Sequence, residues 1–341
     1  MAYTPGTVFA KALEAGASDV HLVAETPLLF RIDGELLPQT KQALSAKEVE
    51  QFIRATVGTA MFQRLQHDLE VDCSAALKGG ARLRINCHYE RGHLSLAARI
   101  VPAEIPTITY LGLAELMPFF ADLQDGLVLF TGPTGSGKST SLAAILQEIS
   151  AARAENIITL EDPIEFLFPA GKGVVRQRQL GEDFHSFAEA MRRVLRQDPD
   201  IVMVGEMRDP ETVAAALTLA ETGHLIFATL HTPNTVQSVD RIIDVFPPHQ
   251  QNQIRAQLSL SLKAVVSQRL LPKVGGGRIA QREVLIASPA IGNVIRENRL
   301  AELRSYLQTG SDLGMRTFEK DAKRLYKEGV ISKETFAWAA K

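Results

Sequence analysis

The chain has 341 residues, of which 45% are hydrophobic and 22% are charged, the ordinary profile of a globular protein. Its length allows about two domains with a sizeable core. The composition argues against a disordered or fibrous protein. The formal net charge of -2 lacks the basic excess that usually marks binding to a nucleic-acid backbone, so nucleic acid is not expected as a partner.

The amino terminus and the two cysteines restrict the class of protein further. Residues 1–9 lack the basic start and apolar stretch of a signal peptide, and no run approaches the roughly 18 apolar residues that span a bilayer. Cys73 and Cys87 form no C-x-x-C pair, which argues against a zinc site or a disulfide framework. We therefore expect a cytoplasmic protein without a transmembrane segment, attached to a membrane only through a partner.

Residues 1–103 are predicted to form a small domain of mixed helices and strands. The predicted helices cover 8–15 and 46–57, and the predicted strands cover 20–23, 28–32, 82–86 and 94–100. Asp33-Gly34 between two strands is a hairpin signal. Pro102 and Pro106 bracket a short stretch that we take as the domain boundary, and the linker is assigned to residues 104–114.

From residue 115 to residue 275, short apolar runs alternate with longer helical periods, which is typical of a parallel sheet with crossover helices. The runs are 127–130, 157–160, 201–204 and 225–230. Ser186 with Glu189 forms a capping box that starts one helix. Asp209-Pro210 starts another, which ends at Gly223.

The carboxy-terminal part begins with three consecutive glycines at 275–277 that break the pattern. We expect residues 276–341 to be mainly helical, with helices that start near Ser288, Thr317 and Ser332. In the first of these helices, Ile291, Val294 and Ile295 form one apolar stripe. Asn293, Arg296 and Glu297 are displayed on other faces, and we expect this helix to couple the protein to a load. An ordinary amphipathic helix that only completes the fold is the alternative.

The most specific chemical motif follows the first apolar run. The pattern G-x-x-x-x-G-K-[ST] is matched without a mismatch by Gly132, Pro133, Thr134, Gly135, Ser136, Gly137, Lys138 and Ser139. The glycines let backbone N–H groups turn toward phosphates, and the start of the next helix adds its positive dipole end. We expect Lys138 to reach the β- and γ-phosphates, Ser139 to ligate Mg²⁺ and Thr140 to belong to the nucleotide-binding residues. The predicted ligands are ATP and Mg²⁺.

Hydrolysis also needs a group that orients or deprotonates water, usually a carboxylate at the end of a neighbouring buried strand. Glu206 follows the run 201–204, although Gly205 stands where an aspartate is commoner. We predict that Glu206 is the catalytic base, with a simple surface glutamate as the alternative.

A second acidic group follows the run 157–160. It comprises Glu161, Asp162 and Glu165, at the sheet edge where open α/β sheets bind ligands. Glu161 is accordingly a candidate catalytic residue. The alternative is an acidic turn that caps a helix ahead of Pro163.

His224 and His231 flank the run 225–230. Seven residues apart on a strand, they point to opposite faces, which argues against a shared metal. His231 lies at the same edge as Glu206 and is a candidate for sensing the γ-phosphate or a neighbouring subunit. A hydrogen-bonded histidine at a strand end is the alternative.

The order of these motifs resembles the secretion ATPase superfamily. Walker A begins at Gly132, an Asp box covers 158–165, a Walker B region covers 196–209 and a His box covers 222–232. A glycine before the Walker B glutamate is characteristic of that superfamily, so Gly205 supports the resemblance.

Within the superfamily, the chain resembles the PilT-like type IV pilus retraction ATPases in the segments 17–22, 240–247 and 270–273. Extension and secretion ATPases usually carry a longer amino-terminal region and a four-cysteine zinc insert, and neither fits this sequence. The family motif A-I-R-N-L-I-R-E appears at 290–297 with Gly292 in place of its first arginine. An accessory paralogue therefore stays open beside the main retraction motor.

The resemblance implies an α/β fold in which a small PAS-like α+β domain, residues 1–103, precedes a RecA-like P-loop domain with a parallel-rich sheet, residues 115–275. It also implies a homohexamer that closes over nucleotide, acts on an inner-membrane pilus platform protein and is peripherally associated with that membrane. Arg82, Arg84 and Arg99 match family positions that help to neutralise the transferring phosphate, with solvated strand arginines as the alternative.

The expected function is thus a hexameric motor ATPase that couples ATP hydrolysis to pilus retraction and twitching motility. Alternatives within the family are an accessory paralogue and a related secretion or pilus assembly ATPase. Alternatives of another class are a RecA-like nucleic-acid translocase, which the charge disfavours, and a P-loop kinase, which requires an acceptor.

Overall fold

The computed structural model describes residues 3–32, 34–77, 81–101 and 104–340, and its contacts divide the chain into two compact units. The first unit comprises Met1–Glu104 together with Glu165–Leu167, and the second comprises Ile105–Ile164 together with Phe168–Lys341. Asp33 of the predicted hairpin turn and Pro102 of the predicted linker lie outside the described residues.

Helices and an antiparallel sheet form the first unit. Its elements are α1 Pro5–Glu14, β1 Asp19–Leu22, β2 Leu29–Ile32, β3 Glu35–Pro38, α2 Ala46–Asp68, β4 Glu70–Ala76, β5 Arg82–Glu90 and β6 His93–Val101. Within the described residues, the strand order is β3-β2-β1-β6-β5-β4, and every neighbouring pair is antiparallel. Val20, Ile53 and Ile85 are fully buried in its core.

Two features of this unit differ from the predictions. The second helix does not end near residue 57: Gly58 adopts a non-helical conformation (φ 76°, ψ 173°), and the helix then resumes as far as Asp68. Glycine reaches positive φ without strain, so the chain kinks there and continues. Strand β4 was not predicted, because the charged residues Glu70 and Asp72 obscure the alternation of apolar and polar residues that is typical of a strand.

The second unit is larger and is built around a mixed sheet. Its elements are α3 Met117–Asp122, β7 Gly126–Thr131, α4 Lys138–Ala152, β8 Asn156–Glu161, β9 Val174–Gln179, α5 Phe187–Val194, β10 Ile201–Val204, α6 Pro210–Glu221, β11 Leu225–Leu230, α7 Thr235–Asp244, α8 Pro248–Ser261, β12 Leu262–Pro272, β13 Arg278–Ile286, α9 Pro289–Arg296, α10 Leu303–Thr309, α11 Phe318–Lys327 and α12 Lys333–Ala339. Short 3₁₀ helices cover Leu195–Gln197, Leu300–Glu302 and Gly310–Leu313.

The sheet of this unit has the strand order β13-β12-β7-β11-β10-β8-β9 within the described residues. All neighbouring pairs are parallel except β12 with β13. The four predicted apolar runs are the strands β7, β8, β10 and β11, which are buried along nearly their whole length. Strands covered on both faces need apolar residues throughout, so the predicted parallel-rich α/β sheet is confirmed.

The predicted helix starts are confirmed as side-chain caps. Ser186 accepts a hydrogen bond from the Glu189 amide, and the same N-cap role falls to Asp209, Ser288, Thr317 and Ser332. Only half of the predicted capping box is seen, because the Glu189 carboxylate pairs with Arg193 instead. Such caps satisfy N–H groups of the first turn that have no partner in the helix.

The expectation that the chain becomes mainly helical after residue 275 is wrong for the stretch 278–286. The three glycines there have φ values of 83°, 98° and 75°, and they form a turn that returns β13 antiparallel to β12. The glycines therefore extend the sheet by one strand and do not end it. Within the described residues, no helix is both long enough and apolar enough to cross a membrane.

Candidate nucleotide-binding site

The phosphate loop connects the buried strand β7 to the start of α4, as predicted. Gly132 has φ 139°, and a Cβ atom there would lie 2.1 Å from the carbonyl oxygen of Gln268 on β12. Glycine is therefore required where the loop passes the neighbouring strand. The first helical N–H groups of α4, on Lys138, Ser139 and Thr140, precede the bond from the Ser141 amide to the Gly137 carbonyl oxygen. They can bind an anion.

Lys138 lies inside this loop. Its side chain is buried, and its Nζ atom donates to the carbonyl oxygens of Gly132 (2.8 Å) and Pro133 (3.0 Å). The loop thus surrounds the Lys138 ammonium group. A phosphate bound in the loop would contact both this cation and the N–H groups at the start of α4. Pro133, Thr134 and Gly135 are exposed at the mouth of the loop, whereas Ser136 is buried below it.

The loop fits a phosphate and a magnesium ion. Ser139, the second residue of α4, is exposed and can offer a hydroxyl oxygen, the type of ligand that Mg²⁺ prefers. The Oγ atom of Ser136 is buried and has no hydrogen-bond partner among the described residues. A buried hydroxyl of that kind has spare capacity for one more bond.

Gly205 explains how the predicted base is positioned. Its amide donates to the Leu160 carbonyl oxygen at 2.7 Å, and a Cβ atom there would lie 3.0 Å from that oxygen. The Thr229 hydroxyl donates to the Gly205 carbonyl oxygen, and the Met207 amide donates to the Thr229 carbonyl oxygen at 3.1 Å. The residues around Glu206 are therefore fixed between the ends of β8 and β11.

The Glu206 carboxylate lies close to the side chains of an arginine and a histidine. Its Oε2 atom lies 2.8 Å from Nε of Arg208 and 3.5 Å from Nε2 of His231. The sequence prediction that Glu206 and His231 share one sheet edge thus corresponds to a direct approach of the two side chains. No role for Arg208 was predicted from the sequence.

Glu161 ends β8 and is buried. Its Oε1 atom accepts hydrogen bonds from Thr159 Oγ1 (2.6 Å) and Gln177 Nε2 (3.0 Å). Asp162 follows it in the same unit, whereas Glu165 is grouped with the first unit. The alternative of a helix-capping turn is wrong, because the next helix that the described chain forms begins at Phe187.

His224 stands at the opposite end of β11 from His231. Its Nδ1 atom lies 3.1 Å from Thr222 Oγ1 and 3.2 Å from the Leu219 carbonyl oxygen, so it closes the end of α6. A strand of six residues is about 20 Å long, which separates the two imidazoles.

The three candidate arginines lie on the sheet of the first unit. Arg82 Nη2 donates to Ser74 Oγ at 3.0 Å, and Arg99 Nε donates to Asp19 Oδ1 at 2.9 Å. Arg84 is exposed and lies opposite Arg99 in the pairing of β5 with β6. These contacts make the three arginines chemically unequal, a difference that the sequence did not indicate.

Polar residues that the sequence analysis missed lie beneath the phosphate loop. Gln268 Nε2 donates to the Ser136 carbonyl oxygen at 2.6 Å, and Gln268 Oε1 accepts from Ser141 Oγ and Arg282 Nε, each at 3.0 Å. Gln268 and Arg282 are 1% and 3% exposed. The sequence signal for these residues was a glutamine and an arginine within strands of a buried sheet, where such polar residues are uncommon.

The chain is similar to known proteins over nearly its whole length. The family model for type II/IV secretion system proteins matches residues 6–283. The chain is 42% identical over 334 residues to the type IV pilus retractation ATPase PilT of Pseudomonas aeruginosa, covering 98% of this chain and 97% of that protein. It is 42% identical over 310 residues to the twitching motility protein of Neisseria gonorrhoeae, covering 91% and 83%.

Similarity to solved structures extends over the whole chain. A crystal structure of the pilus retraction motor PilT with bound ADP matches with a TM-score of 0.90 and 42% identity, covering 99% of this chain and 97% of the other. The resemblance found in the motifs and the α/β fold class are thereby confirmed.

Proposed function

The chain belongs to the type II/IV secretion system protein family, and on that basis we propose that it is a motor ATPase that drives type IV pilus retraction and twitching motility. The observation that carries the proposal is the 42% identity to a type IV pilus retractation ATPase over 98% of the chain. The phosphate loop and a carboxylate at the adjacent sheet edge supply the groups that such an enzyme needs.

In the proposed mechanism, the N–H groups at the start of α4 and the Lys138 ammonium hold the β- and γ-phosphates of ATP. Glu206 accepts a proton from the attacking water. His231, 3.5 Å from Glu206, and the buried Glu161 help to set the position of that water. Mg²⁺, held through Ser139, offsets the phosphate charge when it is bound.

We further propose that six copies form a ring in which a neighbouring subunit completes each site. Arg82, Arg84 and Arg99 then stabilise the transferring phosphate across the subunit boundary. Residues 1–103 and 115–275 act as the two moving modules, joined by the linker 104–114. The ring works on a pilus platform protein at the cytoplasmic face of the inner membrane.

Gly292, which departs from the family motif, lies where α9 packs on α8. A Cβ atom at Gly292 would lie 2.8 Å from the Ser259 carbonyl oxygen, so α9 packs directly on α8 at this position. An arginine cannot enter without moving the helices apart. The close packing of α9 on α8 is therefore compatible with a glycine at this position.

The proposal is tested with Lys138→Ala and Glu206→Gln in purified full-length protein. We expect Lys138→Ala to lower Mg²⁺-dependent ATP hydrolysis on the order of 100-fold or more, because the phosphate clamp is lost. Glu206→Gln should bind ATP normally and hydrolyse it about 100-fold more slowly, because the amide keeps the shape and loses the base.

Matched controls are Lys172→Ala and Glu211→Gln, which change exposed residues of the same unit and should retain wild-type turnover. Deletion of the gene should abolish pilus retraction in cells. Near wild-type hydrolysis by Lys138→Ala would reject the ATPase assignment, and normal retraction in the deletion strain would reject the retraction motor. Phosphorylation of an acceptor, or hydrolysis stimulated by DNA, would favour the kinase or the translocase.

A further inference from the structure

The β12–β13 hairpin carries two glutamine–arginine pairs side by side. Gln268 lies opposite Arg282, and Arg269 lies opposite Gln281. In each pair the arginine Nε atom donates to the glutamine Oε1 atom, at 3.0 Å and 2.6 Å respectively. Because successive residues of a strand face opposite sides, the two pairs point to opposite faces of the hairpin.

The Gln268–Arg282 pair faces the phosphate loop. Besides the bond from Gln268 to Ser136, Arg282 Nη2 donates to Ser141 Oγ at 3.3 Å, and Arg282 Nη1 donates to the Gly112 carbonyl oxygen at 3.2 Å. Ser136 is the buried residue that follows the exposed part of the loop, and Ser141 lies in the first turn of α4. The pair therefore fixes both sides of Lys138.

The Arg269–Gln281 pair faces the carboxy-terminal helices. Arg269 Nη2 donates to the Ala339 carbonyl oxygen at 2.5 Å, and Gln281 Nε2 donates to the carbonyl oxygens of Phe318 (2.6 Å) and Ala339 (3.1 Å). The Arg269 guanidinium also lies 4.6 Å from the ring centre of Phe318. This pair joins α11 and α12 to the sheet.

Burying the Arg282 guanidinium costs desolvation free energy. Burial lowers the pKa of its guanidinium to about 10, and the nearby Asp321 carboxylate acts in the opposite direction. Its side chain meets neutral acceptors, while its backbone amide donates to Asp321 Oδ2 at 2.7 Å. Replacing a buried charge by well-packed apolar groups is often neutral or stabilising. Stability alone therefore does not account for this arginine.

We propose that Gln268 and Arg282 are positioning residues for the phosphate loop, holding Ser136 and the first turn of α4 in the geometry that binds nucleotide. Through Asp321 the same pair connects the loop to α11, where Arg316 and Arg324 also contact that carboxylate. The inference deepens the proposed ATPase function and rests on it.

The test compares Gln268→Met with Gln281→Met in full-length protein. Both changes remove the amide from one cross-strand pair at similar side-chain length, so they are matched. The readouts are the Kd for a fluorescent ADP analogue, the KM and kcat for ATP, and the melting temperature. We expect Gln268→Met to raise Kd and KM at least tenfold with a smaller change in kcat. Gln281→Met should lower the melting temperature and leave Kd within twofold.

Gln268→Glu separates the loop contact from the pair itself. A carboxylate still accepts from Ser141 and Arg282, yet it cannot donate to the Ser136 carbonyl oxygen. We expect the melting temperature to be retained and Kd to rise at least tenfold, and this variant decides the matter if Gln268→Met does not fold. Arg282→Lys, which keeps the charge and loses the planar fork, should give an intermediate Kd.

Equal Kd values for wild type and both Gln268 variants would overturn the inference, as would a Gln281→Met protein with the same loss of affinity. Failure of the wild-type protein to bind the ADP analogue would instead reject the proposed ATPase function. The two failures are therefore distinguishable in one set of measurements.

Discussion

The Nε atom of Arg208 lies 2.8 Å from the Oε2 atom of Glu206, the carboxylate that we propose as the catalytic base. A carboxylate oxygen engaged by a guanidinium is less available to accept a proton from water. The Arg208 side chain is 73% exposed, whereas that of Glu206 is 16% exposed. The arginine can therefore leave without unpacking the core, and we expect the pair to open before hydrolysis.

Arg208→Gln is expected to raise the basal kcat for ATP about 1.4- to fivefold. Exposed ion pairs contribute about 0.2–1 kcal/mol, which corresponds to that range of rates. Steady-state hydrolysis at saturating ATP measures the change, and Arg278→Gln, at an exposed arginine, is the control. A fall in kcat of more than twofold would mean that Arg208 supports the carboxylate.

Gly205→Ala should lower kcat about tenfold or more while nucleotide affinity stays near the wild-type value. The added methyl group would lie 3.0 Å from the Leu160 carbonyl oxygen and 3.4 Å from Glu161 Cα, so the segment that carries Glu206 must shift. Small displacements of a catalytic group can cost large factors in rate. Single-turnover hydrolysis and ADP binding are the measurements.

Gly6→Ala is the control for that substitution, because nothing lies within 4 Å of a Cβ atom there. An equal loss of nucleotide affinity and turnover in Gly205→Ala would show instead that the strand ends as a whole are distorted.

The sequence predicted the parts of the site that depend on local patterns. The phosphate loop, the strand before it and the helix after it follow one another along the chain, so spacing alone placed Lys138 and Ser139. The approach of His231 to Glu206 was predictable because parallel strands bring their carboxyl ends to one edge. Gln268 and Arg282 were not predicted, because their contacts depend on a hairpin that the glycines at 275–277 had concealed.

The arginines of the first unit can be distinguished by substitution. Arg84 is exposed, whereas Arg99 pairs with Asp19 and Arg82 donates to Ser74. We expect Arg84→Ala to lower kcat with little change in melting temperature, because the Arg84 side chain is exposed. Arg99→Ala should also lose the ion pair with Asp19, which contributes about 0.2–1 kcal/mol at such exposure.

Mixed rings test whether Arg84 acts across subunits. Arg84→Ala and Lys138→Ala proteins are each expected to be defective, yet a mixed ring contains some sites with an intact loop and a neighbour's intact arginine. ATPase activity of the mixture should exceed that of both parents. Activity equal to the simple average of the two parents would place Arg84 outside the neighbouring site.

Helix α9 separates structural residues from candidate coupling residues. Ile291, Val294 and Ile295 are each fully buried, as the predicted apolar stripe requires. Arg296 and Glu297 are exposed; Arg296 Nε lies 3.4 Å from Ser259 Oγ, and Glu297 Oε2 lies 2.9 Å from Arg299 Nε. Such exposed contacts contribute little to stability.

The double change Arg296→Ala with Glu297→Ala should therefore leave the ATPase rate, the oligomer size and the melting temperature near wild type while pilus retraction in cells is lost. Ile295→Ala is the contrasting variant, because deletion of a buried isoleucine side chain costs about 2–5 kcal/mol and should lower stability. Retraction by the double variant would show that force leaves the motor elsewhere. A loss of stability and ATPase activity in the double variant matching that of Ile295→Ala would make α9 a structural helix only.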